Sequence, residues 1–326
     1  MCLHLGYVRL LYSSSKKMLH FDMLCKNCSS KVFEHIYTIE GFDIEKCSTC
    51  NLVRTRQKPK EKYSEYHRDE NEYTKDEVLF RNIFQKRFNI ISNCFSPSAS
   101  VKGRFRTKSG MTKHTTSKVV DSRSESGMTK KILDIGASTG TMLSIFKDAG
   151  WDVWGIEPSK TSVVIAKKRG IKMSHGFFEN VKLPSNHFDV VIMNHTFEHV
   201  EDPLKVLTKI KRVLKKGGIV YLDVPNFGSW NATVMKEKWG YLMPTEHTFH
   251  YTPDTLKMLV AKSGFKVLWW GSWSGIFDVG RPVGKLWYEL SHFRLSFIKD
   301  AVRIPLNIFS TLTKRGTSVA IIGQKM

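Results

Sequence analysis

No apolar run in these 326 residues approaches the roughly 18 that a transmembrane helix needs. A chain threaded through a bilayer by helices is therefore not expected. The opening stretch, MCLHLGYVRLLYSSSKKM, is too short and too interrupted for a good signal peptide, which points to a cytoplasmic location. Its basic, Ser-containing and acid-free character down to Leu19 also fits a mitochondrial presequence, and Met18 is an alternative start.

Acidic residues are scarce. Against 30 Asp and Glu stand 51 Lys and Arg, giving a formal charge of +21 and a pI near 9.7. Such a balance suits an anionic partner such as nucleic acid, a phosphorylated glycan or an acidic membrane surface, but it speaks to association rather than fold. Residues 96–130 alone hold eight Lys/Arg against Asp121 and Glu125, so much of the excess belongs to one segment.

Cysteine is also sparse, six in all, too few for a secreted disulfide scaffold. Four of the six form two C-x-x-C pairs, Cys25/Cys28 and Cys47/Cys50, with eighteen residues between the inner cysteines. That is metal spacing: four thiolates close a tetrahedral shell, leaving no position for water or substrate, so the expectation is structural zinc. Disulfides or a redox pair are the alternatives. Cys2 and Cys94 have no partners by spacing.

Residues 63–95 carry Val78, Leu79, Ile83, Phe84, Phe88 and Ile91 at close to a helical period, which reads as a bridging helix. Residues 96–130 are rich in Ser, Thr and basic residues and carry SGMTK twice, at 109–113 and 126–130. They are expected to be a disordered linker, an RNA-binding basic arm being the alternative. From Lys131 short β-rich runs (132–135, 153–156, 190–193, 219–224) alternate with helical ones (141–149, 159–169, 203–214). This alternation predicts an α/β protein with a doubly wound, mostly parallel sheet. A further helix starts with Thr252 as N-cap and Pro253 in first position, followed by strands at 265–270 and 317–323.

The first strand and helix meet in Asp134-x-Gly136-x-Ser138-x-Gly140. The dehydrogenase fingerprint is missing, because Thr141 stands where the third glycine should be. Glu157 ends the next strand, where a carboxylate accepts both ribose hydroxyls of an adenosine, a feature NAD and S-adenosylmethionine (SAM) share.

ILDIGASTG, GIEPS, FDVVIMNHTFEHVEDP, LKKGGIVYLDVPN and PTEHTFHYTPDTL, in this order and spacing, resemble class I SAM-dependent methyltransferases, above all the branch with quinone O-methyltransferases and sugar-modifying enzymes. CKNC, GFDIEKCSTCNLV and YSEYHRDENEY resemble the zinc-binding head that precedes such domains in glycan and natural-product enzymes. The resemblance implies a seven-stranded Rossmann-like sheet with a small N-terminal zinc-ribbon-like domain. The expected division is a head at 18–62, the bridging segment, the linker, and a methyltransferase domain at 131–326 with a helical cap at 280–313.

What the resemblance implies for the site is a cofactor held by Asp134, Gly136, Ser138, Gly140, Glu157, Phe178 and Asn194. Two departures stand out: Ser138 replaces a usual glycine, and Phe177 replaces a frequent acid near the adenine amine, with Glu179 as a substitute and Phe177 or Phe178 as a stacking ring. The loop after the fourth strand, with Asn194, His195, Glu198 and His199, is expected to face the transferred methyl. A histidine there serves as base for a hydroxyl acceptor, which adds roughly 10² to 10⁴ in rate. A divalent ion at Glu198 and His199 is a second reading, and plain helix-end packing a third. His195-x-x-Glu198-His199 also spells the inverted zinc-protease motif, rejected because that motif needs one long helix and Pro203 stops this one. In the loop 225–251, His247 is expected at the substrate, with His250, Trp230, Trp239 and Tyr241 as further candidates, each equally explained by packing.

Residues 280–312 place Leu286, Leu290, Phe293, Phe297, Ile298, Ala301 and Val302 on one face between Arg294, Lys299 and Arg303. A cap over the pocket is preferred to an interfacial membrane helix, since a strand must return to the sheet afterwards. The resulting expectation is methyl transfer from SAM to a hydroxyl or carbon of a small molecule or glycan intermediate. An RNA methyltransferase and a non-catalytic SAM-fold binding protein are the alternatives. The acceptor and the oligomeric state are not legible.

Overall fold

A computed structural model describes residues 18–20, 24–59, 77–94, 129–275, 290 and 296–326. All but the last two residues of the expected linker and much of the expected cap lie outside the described residues, as do Cys2 and the N-terminus.

The N-terminal part is a small β-structure. β1 (Met18–His20) pairs antiparallel with β5 (Gln57–Pro59), while β2 (Phe33–Ile39), β3 (Phe42–Cys47) and β4 (Val53–Thr55) form an antiparallel meander. The β2–β3 turn uses Glu40 and Gly41, both at positive φ, as a tight two-residue hairpin needs. α1 (Glu77–Asn93) follows, inside the expected bridging segment. It lays Phe88 edge-on against Phe146 of the next helix, rings 5.0 Å apart.

The α/β part begins with β6 (Lys131–Ile135), α2 (Thr141–Asp148), β7 (Asp152–Glu157), α3 (Lys160–Lys168), β8 (Lys172–His175) and β9 (Phe188–Asn194). It continues with α4 (Pro203–Val213), β10 (Leu214–Pro225), α5 (Trp230–Met235), β11 (Phe249–His250), α6 (Pro253–Lys262), β12 (Phe265–Trp273), α7 (Ser296–Leu312) and β13 (Ser318–Lys325). Seven strands form one sheet in the order β8-β7-β6-β9-β10-β13-β12. All neighbours from β8 to β10 are parallel, and β13 inserts antiparallel between β10 and β12. The central strands are buried on both faces, which explains why they read as unbroken apolar runs rather than alternating ones.

Local chemistry sets the helix starts. Ser159 accepts the Ser162 N–H, Asp202 accepts the Lys205 N–H ahead of Pro203, and Thr252 and Thr255 close a reciprocal capping box ahead of Pro253. Beyond the head, two strands went unread in the sequence. β8 is a four-residue edge strand without a buried face, and β11 is a two-residue strand that leaves the α/β part altogether. β11 pairs with β4, extending the meander to β11-β4-β3-β2. Among the described residues no helix is long and apolar enough to cross a membrane.

Candidate active site

The loops that leave β6, β7, β9 and β10 at their carboxyl ends meet on one side of the sheet, where open α/β sheets bind ligands. In the β6–α2 loop the N–H groups of Gly136 and Ala137 bond to Ile156 O at 2.8 and 3.1 Å, tying the loop to β7. Gly136 has φ +79°, and a Cβ there would collide with the Thr196 side chain. Ser138 adopts φ +47° in place of glycine, at a cost of roughly 1 kcal/mol. Its N–H offsets this by donating to Glu157 Oε2 at 2.9 Å, while the Ser159 N–H donates to Glu157 Oε1 at 2.9 Å. Gly140, φ +76°, leaves no room for a Cβ against Ile171 and Ala166 and opens α2 without a side-chain cap.

These residues fit the sulfonium cofactor. Glu157 is held by one N–H per oxygen, which leaves a lone pair on each for a ribose hydroxyl. Asp134 is 3% exposed, and its Oδ1 has no hydrogen-bond partner among the described residues. Burial, with Glu157 nearby, pushes its carboxyl up to about 8. An orphaned buried carboxylate beside a glycine loop suits the ammonium end of SAM, whose charge returns the carboxyl to its ionised form. Asn194 also buries its side-chain oxygen at the end of β9 with no hydrogen-bond partner among the described residues. Phe178 lies in the core under Lys209, whereas Phe177 is 40% exposed on the same turn.

At the acceptor end, His195 sits at φ +50° with its N–H on Asp223 O at 2.8 Å, followed by a single 3-10 turn, Phe197–His199. That one turn removes the zinc-protease reading. Glu198 is 2% exposed, and neither carboxylate oxygen has a hydrogen-bond partner among the described residues. Around it stand His195 Nδ1 at 3.6 Å and His247 Nε2 at 3.9 Å from Oε1, ion-pair separations rather than hydrogen bonds. Burial works against the Glu198 charge, but the His195, His199 and His247 imidazoles outweigh it and hold the carboxyl at about 2. Burial lowers His247 to about 4 despite Glu198, so its ring is neutral. In His195, burial is outweighed by Glu198, and the ring is raised. His199 Nδ1 lies 3.1 Å from Glu246 O and His247 Nδ1 2.8 Å from Tyr241 O. A carbonyl only accepts, so both rings donate from Nδ1, and the neutral His247 ring keeps a lone pair on Nε2. One ligand atom from each of Glu198, His199 and His247 lies within 4.8 Å of the others.

The four head cysteines gather as their spacing predicts. Cys25 and Cys50 Sγ are 3.5 Å apart, as are Cys28 and Cys47 Sγ, and all four sulfurs lie within 4.8 Å of one another. A tetrahedral Zn–S shell of about 2.3 Å sets sulfurs roughly 3.8 Å apart, so the cage fits. Burial would raise the Cys47 thiol, but the N–H groups of Cys50 and Thr49 hold it at about 7, favouring thiolate.

What sequence reasoning missed is that this head reaches the histidines. Arg54 and Val53 of β4 pair with Phe249 and His250 of β11. The Thr55 N–H donates to Thr248 O at 3.0 Å, and the Thr248 N–H to Glu198 O at 2.9 Å. His250, a further candidate equally explained by packing, turns its Nε2 to Thr55 Oγ1 at 3.1 Å inside the protein. Trp239 is likewise a core residue, 3% exposed. A second missed feature is the buried ion pair of Arg87 on α1 with Asp223 on β10, 2.9 Å, which also accepts the Tyr221 hydroxyl at 3.2 Å. Two lone charged residues far apart in sequence carry no spacing signal.

Strand order, the lone antiparallel β13 and ligand loops at the strand ends define a class I methyltransferase fold, as the resemblance implied. Residues 111–268 match the family described as a methyltransferase domain. The match begins within the segment read as a linker. An uncharacterized protein of Mycobacterium bovis is 30% identical over 138 residues, 42% of this chain and 47% of its own length. The ubiquinone biosynthesis O-methyltransferase of Haemophilus ducreyi is 33% identical over 110 residues, 30% of this chain and 46% of its own. The chain thus spans about half the length of such curated relatives. A SAM-dependent methyltransferase structure from Thermotoga maritima is 21% identical, covering 78% of this chain and 95% of that one, at TM-score 0.46.

Proposed function

We propose that the protein transfers a methyl group from SAM to a hydroxyl or carbon of a small molecule or glycan intermediate. The observation that carries this reading is the pairing of an orphaned buried carboxylate, Asp134, and a doubly held one, Glu157, with a Glu–His cluster on the neighbouring strand end. When bound, SAM supplies an electrophilic methyl on sulfur. Glu157 holds the ribose, Asp134 the ammonium, and Phe177, as the exposed ring, stacks on the adenine. Asn194 orients the acceptor end from the tip of β9. His195, 37% exposed at its side chain, turns Nδ1 toward Glu198 and keeps Nε2 for the acceptor's proton. His247, 5% exposed, shapes the charge around Glu198 from behind. The named ubiquinone-pathway relative supports a hydroxyl acceptor.

The Nδ1–carbonyl contacts of His199 and His247 favour one further reading of the cluster, a divalent ion on Glu198, His199 and His247 that orients a bidentate acceptor. The head holds zinc as a structural ion. Metal analysis separates these: one zinc per chain leaves the cluster to acid–base work, and a second divalent ion assigns it to metal. Label transfer from methyl-labelled SAM into host extract tests the function. Label in small-molecule or glycan-lipid fractions supports it, label in RNA replaces it with the RNA reading, and no label with no SAM bound leaves the binding-protein reading.

A further inference from the structure

Away from the site, α7 packs against the usual rule. A surface helix of a globular protein turns its apolar stripe inward. α7 leaves Ile298, Leu306, Phe309 and Leu312 exposed by 59, 68, 50 and 78%. Asn307 and Thr311, on the opposite side of the helix, bury Nδ2 and Oγ1 without hydrogen-bond partners among the described residues.

α5 extends the same surface. Trp230 lies tilted against Phe309, ring centroids 5.5 Å apart, and its Nε1–H donates to Thr313 Oγ1 at 3.1 Å. Beside this junction Val234 and Met235 are 74 and 44% exposed. Exposed Lys236 and Lys238 directly follow α5, and exposed Arg303 and Lys314 lie on α7 and just after it, against one carboxylate, Glu237, among the described side chains of the two helices and the turns that follow them.

We propose that α5 and α7 form a dock for an anionic lipid bilayer, apolar side chains entering the acyl boundary and the lysines and arginine meeting phosphates. An apolar face with a basic rim is the pattern of interfacial helices. A second copy of the chain is disfavoured because a two-fold contact sets the same patch against itself, opposing like charges. The chain's charge of +21 adds attraction to the same surface. The proposal stands independently of methyl transfer.

The test is co-sedimentation of the full-length protein with phosphatidylcholine vesicles, with and without phosphatidylglycerol. Binding is expected to the anionic vesicles alone and to weaken with salt. Leu306→Ser with Leu312→Ser should lower the partition coefficient roughly tenfold or more, and Lys238→Gln with Arg303→Gln roughly thirty-fold. Both pairs are exposed, so unfolding temperatures should match the parent protein, and Leu312→Ser alone serves if the pair unfolds. Absence of binding to anionic vesicles, equal binding to both lipids, or partition unchanged by the variants would overturn the proposal. So would a dimer in sedimentation velocity that the leucine variants abolish, which assigns the patch to a second copy.

Discussion

The Thr55 hydroxyl donates to the His247 carbonyl at 2.7 Å, joining the cysteine head to a histidine 192 residues further along the chain. The same oxygen lies 3.1 Å from His250 Nε2, whose ring burial lowers to about 3. A hydroxyl that has given its proton to a carbonyl can only accept from His250, so that ring is neutral with its proton on Nε2.

Thr55→Val should therefore leave two buried polar groups unpaired and cost about 1–3 kcal/mol, while Thr55→Ser keeps both bonds. Urea unfolding of the two variants checks it. Equal stability of Val and Ser would mean that the contact contributes nothing.

The Asp134 carboxyl gives stability a pH dependence of known sign. Its folded value of about 8 lies above the ordinary carboxylate value, so its contribution is complete below about pH 4 and is lost as pH rises toward 8. In the absence of SAM, Asp134→Asn should flatten this slope and raise the unfolding temperature at pH 8. A steeper slope in the variant would contradict the assignment.

At the acceptor end, Glu198 raises His195, so turnover of a hydroxyl acceptor should rise with pH through a value above the usual imidazole range. Glu198→Gln removes the charge that holds the imidazolium, shifting the rate profile toward acid and lowering the plateau by roughly 10². A profile that stays in place would remove Glu198 from the proton path.

On the proposed structural zinc, Cys25→Ser should lower both the zinc content and the unfolding temperature, and chelator treatment of the parent protein should do the same. Folding intact with turnover lost would refute the structural role. Because β4 carries β11, loosening the head should also increase hydrogen exchange at Thr248 and His250.

The β6–α2–β7 unit was legible because each signal is local: an apolar run, a turn needing positive φ, a helix period and a carboxylate at the strand end. Ser138 shows the limit, since its left-handed backbone depends on Glu157, nineteen residues away, accepting its N–H. The cysteine cage was legible from spacing alone. Its join to the site was not, because the β4–β11 pairing is set by tertiary contact between residues nearly 200 apart, and β11 is too short to show a pattern. A helical period was legible over 280–312, and α7 covers its second half; periodicity gives an apolar face but not the direction in which it points.

Calorimetric titration of SAM into the full-length protein tests the account most directly, with Glu157→Ala beside it. One molecule bound per chain, with affinity lost by at least about a hundredfold in the variant, is the expected result, from two charge-assisted ribose bonds. Absence of binding, or equal affinity in the variant, would contradict it.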